Sequence, residues 1–415
     1  MLEKLLDRAL ADTITRGTLR VTYTNGTTAS FGRPEDDWPN IAVRFTDAKV
    51  PGMIIRDQSL GAGEAFMDGR LVIEEGDVMG LAQLLRANKP FEAGKGGKSK
   101  FRKAKGKVAS LAAEVNRQAK ARANVSHHYD IGNDLYRLML DPDYMQYSCA
   151  YWPREGMTLE QAQEAKLAHI AAKLRIEPGN RVLDIGCGWG GMAIYLARHF
   201  DCSVMGVTLS TEQLDLARER AQEAGVAGRT QFELIDYRDL AAKGEQFDRI
   251  VSVGMFEHVG RPQFDTFFGA VRKLLAEDGV MLLHTIGRMG TPGSTDAFTR
   301  THIFPGGYIP ALSETVAASE HHRLMATDVE NLRLHYALTL REWYARCMAS
   351  RDAIVAMYDE RFFRMWTFYL AGATAAFESG SMCNFQIQYA RDRRVLPLSR
   401  DYMAEAERKL LGQTS

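Results

Sequence analysis

The sequence predicts an α/β protein whose larger part is a doubly wound, mostly parallel sheet, preceded by a small α+β domain. From about residue 125 onward, short apolar runs alternate with helical stretches, which is the rhythm of βαβ units. Before about residue 90, apolar and polar residues alternate as in half-buried strands. The 415 residues also exceed the length of one ordinary domain. We therefore predict domains at 1–90 and 124–415, joined by a linker at 91–123.

The first domain, residues 1–90, is expected to be a small lipid-associated α+β module. Alternating apolar residues in 19–23 and 41–45 predict two strands, and the pattern around 78–85 predicts a short helix. Its association with lipid is an expectation from the family resemblance described below.

The linker is strongly basic. Its cations face only Glu92 and Glu114, and they are Lys95, Lys98, Lys100, Arg102, Lys103, Lys105, Lys107, Arg117, Lys120 and Arg122. Two interpretations stay open: a solvated flexible connection, or a polybasic segment attracted to anionic lipid head groups. In the second, each cation near the surface contributes about 1 kcal/mol, screened by salt.

The second domain shows its elements in order. Thr158 and Gln161 have the spacing of a capping box, and an apolar helical stripe follows over 167–174. The candidate strands are 181–185, 203–207, 231–235, 248–253 and 280–285, and the candidate helices between them are 191–199, 211–223 and 264–275.

Composition excludes several classes of protein. The formal net charge is zero, so no global field attracts nucleic acid. Five cysteines without a CxxC pair argue against a disulfide framework and against a metal site. The N-terminus is charged too early for a signal peptide, and no apolar run reaches the roughly 18 residues of a membrane span. We expect a cytoplasmic protein that approaches any lipid substrate peripherally, at the inner face of the membrane.

A glycine-rich turn carries the sharpest chemical signal. The strand at 181–185 ends in Asp184 and Ile185, and glycines follow at 186, 188 and 190 before a helix. Such a turn brings backbone N–H groups close to a ligand. The spacing is GxGxG rather than the GxGxxG of dinucleotide-binding proteins. An acid before the glycines resists a pyrophosphate and suits the cationic S-adenosylmethionine, so we predict a class I methyltransferase fold.

Two further segments follow the next strands. Ser210 and Gln213 have capping-box spacing, so Gln213 either closes a helix or lines a pocket. Residues 236–238 follow the third strand, where an adenine pocket is normally built, although alone they would indicate only a turn.

Eight segments together resemble one enzyme family along nearly the whole chain. They are residues 124–133, 147–152, 182–191, 206–210, 257–260, 284–287, 304–308 and 384–389. The sequence resembles the cyclopropane-fatty-acyl-phospholipid synthases and the related mycolic-acid methyltransferases. The N-terminal module and the basic linker resemble the bacterial type that acts on phospholipids.

The resemblance implies two sets of site residues. The S-adenosylmethionine pocket would contain Tyr147, Ser148, Asp184, Gly186, Cys187, Gly188, Gly190, Thr208, Leu209, Gln213, Tyr237 and Arg238. A bicarbonate ion, acting as the base, would be bound by Cys149, Glu257, His284, Ile286 and Tyr336. The substrates would be unsaturated acyl chains of membrane phospholipids, and we expect a homodimer that binds no nucleic acid.

Purely structural roles for these residues, and other functions of the chain, stay open as alternatives. Taken singly, Cys149 is a buried small side chain, His284 a hydrogen-bonded histidine, Glu257 a loop acid and Tyr336 a core tyrosine. The same fold could transfer a methyl group without ring closure, giving methyl-branched or methylene fatty acids. A lipid-binding protein with a lapsed enzyme domain and a small-molecule methyltransferase are further alternatives.

Overall fold

The protein is represented by a computed structural model that describes residues 1–94 and 132–412. The cationic segment from Lys95 to Arg122 and the first resemblance segment up to 131 lie outside the described residues. The chain forms two compact units, each built from three segments. The first unit is Met1–Lys100, Thr295–Pro305 and Tyr336–Met382, and the second is Phe101–Ser294, Gly306–His335 and Cys383–Ser415.

The described strands and helices are numbered here in chain order. The strands are β1 (Gly17–Thr22), β2 (Thr28–Arg33), β3 (Asn40–Phe45), β4 (Leu71–Glu75), β5 (Arg181–Ile185), β6 (Ser203–Thr208), β7 (Thr230–Leu234), β8 (Phe247–Val253), β9 (Leu275–Arg288), β10 (Met325–Asn331) and β11 (Met382–Ala390). The helices are α1 (Leu2–Ala11), α2 (Val50–Arg56), α3 (Gln58–Met67), α4 (Val78–Ala87), α5 (Asn133–Met139), α6 (Leu159–Leu174), α7 (Gly191–His199), α8 (Thr211–Glu223), α9 (Tyr237–Ala242), α10 (Phe264–Leu274), α11 (Leu312–His321), α12 (His335–Ala349), α13 (Arg351–Met357), α14 (Glu360–Glu378) and α15 (Asp401–Leu410). Short 3-10 turns lie at Phe91–Ala93, Phe256–His258 and Arg261–Gln263, and a π-helical turn lies at Thr299–Ile303.

The first unit contains a four-stranded sheet in the order β2-β1-β3-β4. Strand β1 pairs antiparallel with β2 and parallel with β3, and β3 pairs antiparallel with β4. Alternate residues of β1 and β3, such as Leu19 and Val43, are buried in one core with Leu84 of α4. The two strands and the helix predicted from the sequence are confirmed.

Late segments of the chain belong to this first unit. Helix α14 packs against α3 and α4. At Gly63 of α3, a Cβ atom would lie 2.3 Å from Phe298 and 3.0 Å from Phe368. The Gln83 amide donates to Glu378 at 3.0 Å. The domain boundaries predicted from the sequence place 295–305 and 336–382 in the second domain. The structure places both segments in the first unit, where helices of the N-terminal part cover the apolar face of α14.

The second unit contains a seven-stranded sheet in the order β10-β11-β9-β8-β5-β6-β7. The neighbours from β9 through β7 run parallel, and β10 and β11 pair antiparallel. The predicted doubly wound, mostly parallel sheet is confirmed. The chain order reverses beside β5, which lies between β6 and β8, and ligands bind at such a switch point, beyond the carboxyl ends of the strands.

Helix α6 packs against this sheet. More of its surface is buried than the single apolar stripe predicted from the sequence. It begins with the predicted capping box of Thr158 and Gln161. It is buried around most of its circumference, so that Lys166, His169 and Lys173 are buried together with its leucines and alanines. These side chains require polar partners inside the protein, because an unpaired buried charge is strongly destabilising.

Within the two described ranges, no helix combines the length and the apolar character that crossing a membrane requires.

Candidate functional site

A cleft lies at the switch point of the second unit. It encloses about 1120 Å³ of space, including its open mouth. Of the twelve residues predicted for the cofactor pocket, all but Gly190 line it: Tyr147, Ser148, Asp184, Gly186, Cys187, Gly188, Thr208, Leu209, Gln213, Tyr237 and Arg238. Its position at the switch point fits a small-molecule site of the doubly wound type.

The three glycines of the loop have different tasks. All have positive φ, of 81° at Gly186, 53° at Gly188 and 78° at Gly190. A Cβ atom at Gly186 would lie 2.8 Å from Met255, and one at Gly190 would lie 3.0 Å from Phe232. At Gly188 a Cβ would meet no described atom within 4 Å. Gly186 and Gly190 therefore permit close internal packing, whereas Gly188 leaves room for a ligand.

Asp184 gives the cleft a buried acidic group. Its Oδ2 atom is buried and has no hydrogen-bond partner among the described residues. Burial raises the pKa of Asp184 to about 7, against the opposing effect of the Lys166 charge. A carboxylate without N–H partners suits a ligand that brings its own positive charge. The residues of the cleft therefore fit the cationic S-adenosylmethionine.

Lys166, which is not among the residues predicted from the sequence, contacts two residues that line the cleft. Its ammonium group donates to the Gln146 side-chain oxygen and, at 3.0 Å, to the Ser148 hydroxyl. Burial lowers the pKa of Lys166 to about 8, although Asp141, Cys149 and Asp184 favour its charged form. A helical pattern assigns such a lysine to solvent, so no signal in the sequence pointed to it.

Hydrogen-bonded pairs of polar side chains also line the cleft. The Ser210 hydroxyl accepts from the Gln213 backbone at 3.3 Å, which is half of a capping box. The Gln213 side chain instead accepts from the Thr208 hydroxyl at 2.9 Å. Asp236 accepts from the Arg238 guanidinium at 2.8 and 2.5 Å. Gln213 therefore both takes part in the capping of the first turn of α8 and lines the cleft. Asp236 is a cleft residue absent from the predicted set.

A second group of predicted residues lies where β8 and β9 end. His284 is paired with Val253, a cleft residue. The Gly254 N–H donates to the His284 carbonyl at 2.9 Å. A Cβ atom on Gly254 would lie 3.7 Å from the Cβ of Ser148. The end of β9 therefore adjoins the cofactor cleft.

Glu257 lies in the 3-10 turn that follows β8. Its Oε1 accepts a hydrogen bond from the Ile286 N–H. Its Oε2 is buried without a hydrogen-bond partner in the described part of the chain. Burial raises the pKa of Glu257 to about 7, although the Ile286 amide favours the ionised form. Near neutral pH this carboxyl can hold a proton on Oε2 and donate it to an anion.

Cys149 and His284 are both uncharged. Burial raises the pKa of the Cys149 thiol, which donates to the Ala150 carbonyl at 3.3 Å. Burial, aided by Lys166 and Lys173, holds the pKa of His284 well below its usual range. A protonated thiol is a poor nucleophile, so Cys149 is unsuited to nucleophilic catalysis.

Tyr336 belongs to the first unit, unlike the other four residues predicted to bind bicarbonate. There its ring packs against Trp343 at 5.8 Å and Phe377 at 4.8 Å between centroids. In the second unit, Glu257 is joined to Ile286 and His284 is paired with the cleft residue Val253. Cys149 follows the cleft residue Ser148 in the chain, and the binding of bicarbonate by the five residues stays a prediction.

Comparison with known proteins gives consistent matches. The family model described as mycolic acid cyclopropane synthetase matches residues 116–387. Cyclopropane-fatty-acyl-phospholipid synthase of Escherichia coli K12 is 43% identical over 378 residues, covering 86% of this chain and 94% of that protein. A probable fatty acid methyltransferase of Pseudomonas putida is 42% identical over 289 residues, covering 67% of this chain and 73% of that protein.

A solved structure extends this comparison to the fold. Mycolic acid cyclopropane synthase CmaA1, complexed with SAH and CTAB, is 34% identical with a TM-score of 0.61. The match covers 65% of this chain and 97% of that one. The resemblance predicted from sequence segments is confirmed, and the chain belongs to the mycolic acid cyclopropane synthetase family of S-adenosylmethionine-dependent methyltransferases.

Proposed function

We propose that this protein transfers a methylene unit from S-adenosylmethionine to the cis double bond of an unsaturated acyl chain in membrane phospholipid. The product is a cyclopropane ring, and bound bicarbonate acts as the base. The main supporting observation is the hydrogen bond that Glu257 accepts from the Ile286 amide beside the cofactor cleft. The E. coli relative, matched along 94% of its length, is named for phospholipid as substrate, which supports that class of lipid.

The chemistry requires a dry site that tolerates positive charge. An isolated alkene is a weak nucleophile, and its methylation leaves a carbocation beside the old double bond. Ring closure then requires the loss of one proton from the new methyl group. S-adenosylmethionine supplies the methyl group when bound, and bicarbonate supplies an oxygen base. An anion near the cation also stabilises it electrostatically.

The residues at the end of β9 fit an anion. The buried Lys166 and Lys173 both exert positive charge on His284, and Lys166 does so on Cys149. Glu257 would repel an anion when ionised, yet its pKa of about 7 lets it share a proton. Cys149 carries an S–H donor. These residues would hold and orient the ion, with the two lysines supplying positive charge nearby.

A second outcome of the same chemistry has specific support. The P. putida relative is named a probable fatty acid methyltransferase. A methyl-branched product would retain the whole methyl group. With donor carrying a trideuterated methyl group, a cyclopropane keeps two deuterium atoms and a methyl branch keeps three, which mass spectrometry of the lipid resolves. A methylene product also keeps two, and nuclear magnetic resonance separates it from a ring.

Bicarbonate dependence tests the proposal most directly. Exhaustively degassed buffer should depress turnover on unsaturated phospholipid vesicles, and added bicarbonate should restore it. Glu257→Gln should lower kcat by about tenfold or more while the Kd for S-adenosylmethionine changes little, because the loss lies in a step after cofactor binding. Glu219→Gln, at an exposed position of α8, is the control.

Two results would contradict the proposed base. One is turnover that ignores bicarbonate in the parent enzyme. The other is a Glu257→Gln variant that matches the control in kcat. Assembly as a homodimer and action from the inner membrane face remain proposals, supported by the sequence alone.

A further inference from the structure

Strand β11 carries three buried amides on one face. Asn384, Gln386 and Gln388 are at most 1% exposed, and residues two apart in a strand point the same way. A buried amide is destabilising unless its donors and acceptors are satisfied. The proposed function leaves this motif unexplained.

Lys173 of α6 fixes the orientation of the central amide. Its ammonium group donates to Gln386 Oε1 at 2.8 Å and to the Glu330 carboxylate. An ammonium group has donors only, so the amide must turn its oxygen toward Lys173. The Gln386 NH2 group therefore faces away from Lys173, toward His284.

His284 lies between two amides. Its Nδ1 is 3.1 Å from Gln386 Nε2, and its Nε2 is 2.9 Å from Asn384 Nδ2. The imidazole is buried. Lys166, Lys173 and His169 lower its pKa further, and Glu330 opposes them only in part. The ring is therefore neutral and has one N–H and one lone pair, so it cannot accept from both amides.

The position of the proton follows. Because Lys173 holds Gln386 with its NH2 group toward the ring, His284 Nδ1 must be the acceptor and Nε2 must carry the proton. Asn384 then turns its oxygen to Nε2–H, by rotation of its terminal amide.

We propose that Lys173 and Gln386 are positioning residues that hold the proton of His284 on Nε2, so that the imidazole stays neutral and does not act as the base. With the Nδ1 lone pair occupied, removal of the substrate proton falls to another oxygen base. The role in the reaction rests on the proposed function, whereas the tautomer is a property of the free protein.

Nitrogen NMR reads the tautomer directly. The full-length protein, labelled with 15N-histidine, has ten histidines, and His284 is assigned by the signal lost in His284→Gln. The parent should show a protonated Nε2 and an unprotonated Nδ1. This pattern should persist from about pH 6 to about pH 9, through the range where an ordinary histidine titrates.

Two amide-to-acid variants give a matched pair. In Gln386→Glu the carboxylate can accept from both Lys173 and Nδ1–H, so the proton should move to Nδ1. In Asn384→Asp the carboxylate accepts from Nε2–H, so the proton should stay. Gln386→Glu should also lower kcat by about tenfold or more while KM for S-adenosylmethionine is unchanged. Lys173→Arg retains the donor and should keep the parent tautomer.

Several outcomes would overturn the inference. They are Nδ1–H or a titrating imidazolium in the parent, or a Gln386→Glu protein that keeps Nε2–H. The parent spectrum decides even if Gln386→Glu fails to fold. A parent with the expected tautomer that forms no cyclopropane would contradict the proposed function and leave the positioning of His284 intact.

Discussion

At the scale of single residues, two carboxyl groups of the second unit are buried and hold their protons more tightly than exposed ones. Burial raises the pKa of both Asp184 and Glu257 to about 7. Each is therefore partly protonated near neutral pH, where an exposed carboxyl would be ionised. Their tasks differ: Asp184 faces the cofactor cleft, where a cation suits it, and Glu257 lies next to the Ile286 amide.

Cofactor affinity should depend on pH through Asp184. A cationic ligand favours the ionised carboxyl, so below pH 7 binding must first release a proton. The affinity for S-adenosylmethionine should rise between pH 6 and pH 8, by at most tenfold per unit below the pKa. Asp184→Asn should bind more weakly at pH 8 and show a flat profile. Calorimetry at three pH values measures this, with exposed Asp215→Asn as the control; equal slopes in Asp184→Asn and parent would exclude Asp184 as the titrating group.

At the scale of secondary structure, prediction succeeded where one periodicity dominates. Helices α7 and α8 begin and end at the predicted residues, since an apolar run or a glycine turn bounds each. Strand β11 was not predicted, although Phe385, Ile387 and Tyr389 alternate with amides as in a half-buried strand; the structure buries both of its faces. Strand β10 is mostly polar and mostly exposed, so no apolar alternation marks it in the sequence.

The residues of the candidate site were likewise predictable only where the local sequence carries a pattern. Asp184 could be found because it precedes a glycine turn, and most of the cofactor residues because family segments carry them. Lys166 and Lys173 could not be found, since their partners come from distant segments. The neighbours of a buried lysine depend on packing, and local periodicity carries no information about them.

Close packing between α3 and α14 leads to a stability prediction. Gly63→Ala would force a Cβ against Phe298 and Phe368 and should destabilise the first unit by about 1–3 kcal/mol. Gly372→Ala in α14, where a Cβ meets nothing within 4 Å, should be neutral or stabilising by up to about 1 kcal/mol because alanine favours helix. Hydrogen exchange in β1 and β3 measures both. A Gly63→Ala protein as stable as Gly372→Ala would contradict the described packing.

At the scale of the whole molecule, the chain passes between two units that are each assembled from separate segments. The catalytic groups proposed here lie in the second unit, apart from Tyr336. The basic residues between the described ranges are the sequence's strongest local charge. Because the formal net charge is zero, attraction to an anionic surface must arise locally.

The basic segment should govern encounter with membranes rather than chemistry. Changing Lys98, Lys100, Lys103, Lys105 and Lys107 to glutamine should weaken binding to anionic vesicles at low salt, each cation contributing about 1 kcal/mol. The difference should shrink at high salt, where screening already weakens these contacts. Arginine at the same five positions keeps the charge and should bind as the parent does. Vesicle sedimentation measures this binding. If the glutamine variant binds at low salt as well as the parent does, the basic segment only connects the two domains.

The assembly of the first unit from separate segments of the chain has a consequence during translation. Residues 1–94 leave the ribosome early, but α14, which covers α3 and α4, begins at Glu360. The intervening stretch of roughly 270 residues takes on the order of 13–54 s to translate at about 5–20 residues per second. During that interval the apolar faces that later meet α14 have no partner from their own chain. The nascent N-terminal segment is therefore the part of this protein with the longest exposure to chaperones and to aggregation.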